Sequence, residues 1–200
     1  MKPKGVTHMT EEQGGLVNSV KDGIVGAIRG VGEITDAVVD TVAGTLVNAV
    51  EKTGSIGTAL SSAIADTVQG VIKGTSEVGG DLGSAAKGAV IGVLRGTKEV
   101  GSESLDTIST TAGSVITSTA SVGGDLAVVA KGAVEGAIVG AKDIGVSAED
   151  AASAAATGLL KAAGEVGGTA VEQVQNVLTG TISGVKVVVK EPFKSDGDGD

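Results

Sequence analysis

The stretch KGAVIGVLRGTKEVG, Lys87–Gly101, decides the fold. Apolar residues recur in it with the spacing of one face of an α-helix, at Val90, Val93 and Leu94. Glycine weakens a helix by about 1 kcal/mol relative to alanine, yet three glycines also recur here at helical spacing. They are Gly88, Gly92 and Gly96. Because a row of small residues leaves a groove that a second helix can approach closely, the stretch predicts a helix built for close packing.

The same pattern recurs along the chain at a fixed interval of 22 residues. Each copy has an acidic or serine residue, then Val or Ile, then in most copies Gly. The central residues of the seven copies are Ile34, Ile56, Val78, Val100, Val122, Ile144 and Val166. The longer motif VGGDL begins at both Val78 and Val122, which adds a second interval of 44 residues. Fixed intervals of this size indicate a repeat architecture.

The length of the repeat favours helices. Twenty-two residues are two lengths of eleven, and eleven residues fill three turns of an α-helix almost evenly. Strict two-residue alternation, which indicates a half-buried strand, is absent, and the copy Ile144–Glu165 is rich in alanine. The predicted apolar face comprises Ile34, Ile56, Val78, Leu82, Val90, Val93, Leu94, Val100, Val122, Ile144 and Val166. We therefore predict an all-α protein of elongated amphipathic repeat helices.

Glycines lie along one shoulder of these helices, between the apolar arc and a charged arc with pairs such as Lys73/Glu77 and Arg95/Glu99. The predicted packing groove comprises Gly26, Gly30, Gly70, Gly74, Gly88, Gly92, Gly96, Gly132, Gly136 and Gly140. The chain has 34 glycines in all, so an isolated helix would be strongly destabilised. We therefore expect the helices to pack against other helices or a lipid surface, and we do not expect a monomeric rod.

Paired glycines mark the predicted helix ends. Gly79-Gly80, Gly123-Gly124 and Gly167-Gly168 each follow Val and precede Asp or Thr, an order typical of a left-handed glycine and then an N-cap. Breaks at these pairs predict antiparallel helices of about 40 residues, each ~60 Å long. Gly101 and Gly145 give weaker signals of the same kind. The alternative is a near-continuous long helix, and the antiparallel arrangement is favoured.

Both ends of the chain differ from the repeats. Residues 1–15 are polar and are predicted to be a disordered tail, and residues 16–184 form the helical repeat region. Residues 185–200 are predicted to be an acidic tail, because Pro192 stops regular structure and three aspartates follow it. The motif DGDGD lacks the remaining ligands of a calcium loop.

Composition excludes several functional classes. The net charge of −9 argues against nucleic acid, which requires clustered Lys and Arg. A single histidine, His8, no cysteine, and serines without a neighbouring base leave no catalytic or metal-binding set. We therefore expect no enzymatic activity, no cofactor and no small-molecule substrate. No segment predicts a signal peptide or a transmembrane span, which favours a cytoplasmic protein that is at most peripheral on a membrane or granule.

The repeats resemble those of known lipid-associated families. GTKEVG at Gly96, EKTGSIG at Glu51 and KGTSEVGG at Lys73 look like the eleven-residue repeats of the synucleins. In period they are also similar to the exchangeable apolipoproteins and perilipins. In those families such repeats form amphipathic helices on membranes, lipoproteins or droplets. The resemblance therefore implies amphipathic helices and a lipid surface as a partner.

Three functional hypotheses follow. The first is a non-enzymatic, self-associating structural or scaffold protein, a homo-oligomer whose helices pack through their glycine shoulders. The second is a peripheral protein that lays its Val/Leu/Ala face on a membrane, droplet or storage granule. The third is a stress-protective chain that folds on contact, although a mean hydropathy of +0.31 is high for a disordered chain. Because aromatic and other strong interfacial anchors are scarce, self-association ranks first.

Overall fold

The computed structural model describes residues 7–31, 33–53, 58–102 and 104–188. Within these ranges the fold is all-α, as predicted, with eight helices and one short hairpin. The helices are α1 (Thr7–Val31), α2 (Ile34–Thr53), α3 (Thr58–Glu77), α4 (Leu82–Glu99), α5 (Leu105–Ser121), α6 (Leu126–Ile144), α7 (Ala148–Val166) and α8 (Gly168–Leu178). The strands β1 (Thr181–Ile182) and β2 (Val185–Lys186) pair antiparallel.

The recurring Val-Gly motif is a helix stop. At the end of α3, Gly79 has a left-handed φ of 66°, and the N–H of Gly80 donates to the carbonyl of Thr75 at 2.8 Å. This bond closes the last turn in the manner of a Schellman motif, which satisfies a carbonyl that the helix itself leaves without a partner. The same left-handed glycine follows α4, α5 and α6. These glycines are Gly101, Gly123 and Gly145.

Polar caps begin the next helices. The Asp81 carboxylate accepts the N–H of Ser84 at 2.6 Å, and Asp125 caps α6 in the same way. The hydroxyl of Ser147 accepts the N–H of Asp150 at 3.0 Å at the start of α7, and Ser104 caps α5. Each cap satisfies an N–H group that the first helical turn leaves unpaired. One repeat of 22 residues is therefore one helix together with its stop and the following start.

The predicted breaks are confirmed, and the predicted helix length is wrong. The chain leaves helix at Gly79-Gly80 and Gly123-Gly124, and it turns at Gly167, where φ is 143°. Helices of 40 residues do not form, because the weaker signals at Gly101 and Gly145 also stop helices. The near-continuous helix is excluded for the same reason. Each 44-residue interval is a pair of helices.

The helices stack in two rows. Through most of the fold, each helix packs most extensively on the helix two positions away, so α1, α3, α5 and α7 form one row and α2, α4, α6 and α8 the other. Gly88 lies against Val38 and Gly92 against Val42, so helices within a row run parallel. Consecutive helices, joined by short turns, are antiparallel. Successive helix pairs therefore add layers to a stack that begins with α1 and α2.

The core lies between the two rows and between successive layers. It is built from Val, Ile, Leu and many alanines, and Ile24, Leu46, Leu94 and Ile116 are fully buried. At the last layer, Ile182 of β1 and Val187, which follows β2, are also buried, and the strands contact α6 and α7. The hairpin therefore closes the end of the stack formed by the last two helices.

The predicted boundaries of the repeat region need correction. Helix α1 begins at Thr7, inside the segment 1–15 that the sequence predicts as a tail. At the other end, the last helix stops at Leu178, and the hairpin occupies residues that straddle the predicted boundary at 184/185. Residues 1–6 and 189–200, with most of the predicted acidic tail, lie outside the described residues.

Candidate functional site at the glycine-lined helix interfaces

The glycine row of α4 faces α2. A Cβ atom placed on Gly88 would lie 2.6 Å from the carbonyl oxygen of Thr35, and one on Gly92 would lie 2.7 Å from the Cβ of Val42. At Gly96 the corresponding distance, to the oxygen of Ala43, is 3.1 Å. The first two approaches are too close for any real Cβ atom, so a side chain at either position would push the two helices apart. The glycines are what permits this helix spacing.

Two other predicted rows have the same surroundings. On α3, a Cβ at Gly70 or Gly74 would lie 2.8 Å from a backbone oxygen of α1. On α6, a Cβ at Gly136 would lie 2.6 Å from the carbonyl oxygen of Lys87, and Gly132 and Gly140 face Gly83 and Leu94 of α4. In each case the helix that occupies the groove belongs to the same chain and lies one layer earlier.

Some close-packed glycines lie outside the predicted rows, among them one on α7 and one on α5. Gly158 of α7 packs against Ser109 of α5, and Gly113 of α5 faces Gly158 in return. Gly158 has no glycine four residues before or after it, so it does not form a row. The 44-residue interval could have found it, because Gly158 lies two such intervals after Gly70.

The first layer is different. A Cβ on Gly26 or Gly30 of α1 would have no described atom within 4 Å beyond its own helix surroundings, and both glycines are exposed. These two residues hold the positions in the repeat that Gly70 and Gly74 hold in α3. Gly44 of α2, which corresponds to Gly88, is open in the same way. The rows of later helices are covered by the preceding layer, whereas no described residues form a layer before α1 and α2.

The residues of the predicted apolar face divide between core and helix ends. Val90, Val93 and Leu94 are fully buried. Ile34, Leu82, Val122 and Ile144 are partly buried against the core. Val78 and Val100 are half-buried in the turns, while Ile56 lies outside the described residues. Val166, 44% exposed, is a correction: it is the last residue of α7, next to the turn at Gly167.

Ion pairs connect helices within a row. Arg95 of α4 contacts Asp143 of α6 at 3.2 Å rather than Glu99 on its own helix. Lys21 of α1 contacts Glu77 of α3 at 3.0 Å, and hydrogen bonds to Glu77 and then Asp22 raise the pKa of Lys21 above its ordinary value. The close spacing allowed by glycine brings charged side chains of parallel helices within reach. Exposed pairs of this kind contribute little stability, because solvent screens them.

Titratable groups are scattered rather than clustered. Among the described residues, no three His, Cys, Asp or Glu side chains converge on a possible metal position. The Ser84 hydroxyl, and then the Ser84 N–H, lower the pKa of Asp81, which is a capping residue. Partial burial raises the pKa of Asp66 on α3. The Asp81 shift thus comes from its role as a helix cap, and the Asp66 shift comes from burial alone.

Two shallow grooves flank α5 on the outer side of its row. One, of about 310 Å³, lies between α5 and α7 and is lined by Ser109, Gly113, Gly158 and Lys161 among others. The other, of about 220 Å³, lies between α5 and α3 and includes Leu60 and Thr107. Both glycines of the α5–α7 contact, Gly113 and Gly158, belong to the lining of the first groove.

No helix in the described part of the chain is both long enough and apolar enough to cross a membrane.

Comparisons with known proteins assign the chain to no group. The sequence matches no protein-family model, and a search of curated proteins finds no match either. The glycine rows, the open row of the first layer and the grooves beside α5 are therefore the features from which a function can be argued.

Proposed function

We propose that the protein is a non-enzymatic, self-associating helical structural protein, and that copies of it meet at the first layer of the stack. The observation that carries this proposal is the open glycine row on α1. Gly26 and Gly30 are exposed, whereas Gly70 and Gly74, their counterparts in α3, lie against a neighbouring helix. A helix of a second copy would occupy on α1 the place that α1 occupies on α3.

Within one copy of the chain, these exposed glycines make no close contact that requires glycine among the described residues. Each costs the helix about 1 kcal/mol relative to alanine, and an alanine would meet no steric obstacle among the described residues. In the interior rows the same cost is offset by close packing of a neighbouring helix. A second copy would supply that packing for α1.

The outer face of α2 is more polar, and we propose that it forms the edge of the contact. Thr41, Thr45 and Asn48 stand where α4 has Ala85, Ala89 and Gly92. Their side chains donate to carbonyls of α2 itself, at 2.7–2.8 Å, so they need no outside partner. Such groups remain satisfied beside water and beside a neighbouring surface.

The opposite end of the stack is closed, which favours a two-fold assembly over a head-to-tail one. Ala170, Val174 and Leu178 of α8 are already buried, and the hairpin packs against α6 and α7. A head-to-tail contact would need this end to receive α1 and α2. We therefore propose that the contact lies between two first layers, related by a two-fold axis.

Substitution of the open row tests the proposal. Leucines in Gly26→Leu/Gly30→Leu have room in the monomer but would block a close second helix. We expect sedimentation velocity over a concentration series to show that the wild type associates. In this variant, association through the first layer should be lost. Gly168→Leu is the matched control, because Gly168 also has open space among the described atoms but lies on α8. A wild type that stays monomeric at every concentration overturns the proposal and makes the first layer an end cap.

The lipid surface remains the second prediction from the sequence. The Val/Leu/Ala face on which it depends includes Val90, Val93 and Leu94, which are fully buried in the stack. Lipid binding through that face would require the layers to separate. Anionic and neutral vesicles test it: a changed helical circular dichroism spectrum together with co-flotation would support the lipid function, and an unchanged spectrum without flotation would rule it out.

A further inference from the structure

The outer face of α5 carries no charge beyond the first turn. After Asp106, the next charged residue in the chain is Asp125, at the start of α6. The face presents hydroxyls and one glycine, and we call it the α5 ridge. It comprises Thr110, Gly113, Ser114, Thr117 and Ser121. The two grooves described above lie along its two sides.

The other helices of the same row carry charged residues at positions where α5 has none. At the positions of Thr117 and Ser121, α3 has Lys73 and Glu77 and α7 has Lys161 and Glu165. The position of Thr110 is an aspartate in α1 and α3. The neighbouring helices of this row thus have an oppositely charged pair at these two positions. In this row, only α5 lacks the pair. Loss of charge at the centre of a surface patch is characteristic of protein interfaces.

Three of the four hydroxyls of the ridge can be buried at little cost. Ser114 donates to the carbonyl of Thr110 at 3.0 Å, Thr117 to that of Ser114 at 3.2 Å, and Ser121 to that of Ser118 at 2.6 Å. The hydroxyl hydrogens of Ser114, Thr117 and Ser121 are therefore already bonded to their own helix, and Thr110 is the one hydroxyl among the described residues of the ridge without such a bond. A partner would cover these three bonded groups without leaving a donor unpaired, which is the main penalty of burying a hydroxyl.

We infer that the α5 ridge is a second contact surface and that its partner is another copy of this chain. The net charge of −9 makes two copies repel one another over most orientations. The ridge has no charge, and its borders on α3 and α7 carry both signs, with Lys73 and Lys161 beside Glu77 and Glu165. A patch that is neutral at its centre and mixed at its rim is complementary to itself, as a two-fold contact requires.

The small side chains fit such a contact. Glycine, serine and threonine along one face allow the backbones of two helices to approach closely. The contact lies on the side of the stack, whereas the contact proposed at the first layer lies at its end. This inference rests on the proposed self-association. With two separate two-fold contacts, copies join into an open chain rather than a closed dimer.

Restoring the missing charges tests the inference. Thr117→Lys/Ser121→Glu gives α5 the same pair that α3 and α7 carry, so the fold should tolerate it. Thr110→Asp is the second variant, which copies Asp66 of α3. Thr117→Ser/Ser121→Thr is the control that keeps the ridge neutral. Sedimentation velocity over a concentration series gives the size distribution, and far-ultraviolet circular dichroism and thermal unfolding verify that each variant is folded.

The expected results separate the two contacts. The wild type forms species larger than a dimer, and Thr117→Lys/Ser121→Glu weakens the side contact by roughly tenfold or more and leaves dimers. Gly26→Leu/Gly30→Leu leaves dimers formed through the ridge, and the combined variant is a monomer. Unchanged association of both folded charge variants overturns the ridge and leaves the first-layer contact standing. Unchanged association of Gly26→Leu/Gly30→Leu overturns only the first-layer contact.

Discussion

Gly92 of α4 and Val42 of α2 lie so close that a Cβ on the glycine would stand 2.7 Å from the Cβ of the valine. Both residues belong to rows that continue along their helices, so the contact extends over several turns. The same relationship links Gly70 to Val20 in the other row. The helical glycines of this fold thus include close-packing sites and open positions, and these two kinds should respond oppositely to the same substitution.

Gly92→Ala is expected to destabilise the protein. Alanine improves helix propensity by about 1 kcal/mol, but overpacking against Val42 and the carbonyl of Val39 costs about 1–3 kcal/mol. The net loss should lower the thermal midpoint by a few degrees, since about 1 kcal/mol corresponds to roughly 2–4 °C in a chain of this size. Thermal unfolding followed by circular dichroism measures it. A clear gain in stability would contradict the close packing of this row.

Gly26→Ala, at an open position, is expected to have the opposite effect and to stabilise the protein. No described neighbour obstructs the added methyl group, so the helix propensity gain of about 1 kcal/mol should appear as a higher midpoint. The measurement is made at a protein concentration where the chain is monomeric, so that a contact between copies does not enter. A loss of stability under those conditions would mean that the α1 row is covered within the monomer.

Gly123→Ala tests the helix stop. Gly123 has a φ of 69° and open space around its Cα among the described atoms, so only backbone strain opposes alanine. Left-handed backbone costs an L-residue roughly 1–2 kcal/mol. Gly123→Asn should cost less, because asparagine tolerates this conformation better. Equal unfolding free energies for wild type and alanine variant, measured by urea unfolding, would show that the turn does not require glycine.

Local features of the fold were predictable because the residues that cause them are adjacent in sequence. The helix stops depend on Gly79 and Gly123 and the starts on Asp81 and Asp125, and all four are visible as VGGD. The strength of the single-glycine stops was not predictable. Gly101 and Gly145 end helices as completely as the pairs do, because the left-handed conformation needs only one glycine.

The occupant of the glycine groove was not predictable from spacing. A row such as Gly88, Gly92 and Gly96 indicates that something comes close, and another chain, another helix or lipid would each satisfy it. In the structure the occupant is α2 of the same chain. This depends on how the 44-residue pairs stack, which is a non-local property. The position of Val166 was missed for a related reason, since its burial depends on the direction that the chain takes at Gly167.

The cap of α4 predicts a pH dependence. Hydrogen bonds from Ser84 lower the pKa of Asp81 in the folded state, so its stabilising effect is present above the ordinary pKa of about 3.9 and is lost as the pH falls through the lowered value. Asp81→Ser keeps a cap that does not titrate, whereas Asp81→Ala should cost about 0.5–2 kcal/mol at neutral pH. Urea unfolding at several pH values measures the difference between wild type and Asp81→Ser. Two parallel stability curves below pH 4 would argue against the prediction.

Removal of one complete helix pair tests the layered architecture. Deleting residues 81–124 joins Gly80 to Asp125 and recreates the VGGDL motif without a new sequence junction. Helix α6 would then place Gly132 and Gly136 on α2, at the positions that Gly88 and Gly92 occupy in the full chain. Because each layer makes the same contact with the layer before it, the shortened protein should remain helical and unfold cooperatively.

Two further deletions show whether the repeat length or the cut site matters. Deleting residues 92–135 also removes one full interval, and Gly136 then follows Gly88 at the spacing of Gly92, so this protein should behave like the first. Deleting residues 92–124 removes one and a half repeats and joins the first half of α4 to the cap of α6. That protein should lose the cooperative transition in thermal unfolding followed by circular dichroism, because half a helix cannot fill its layer. A cooperative transition in all three proteins would mean that the layers do not depend on one another.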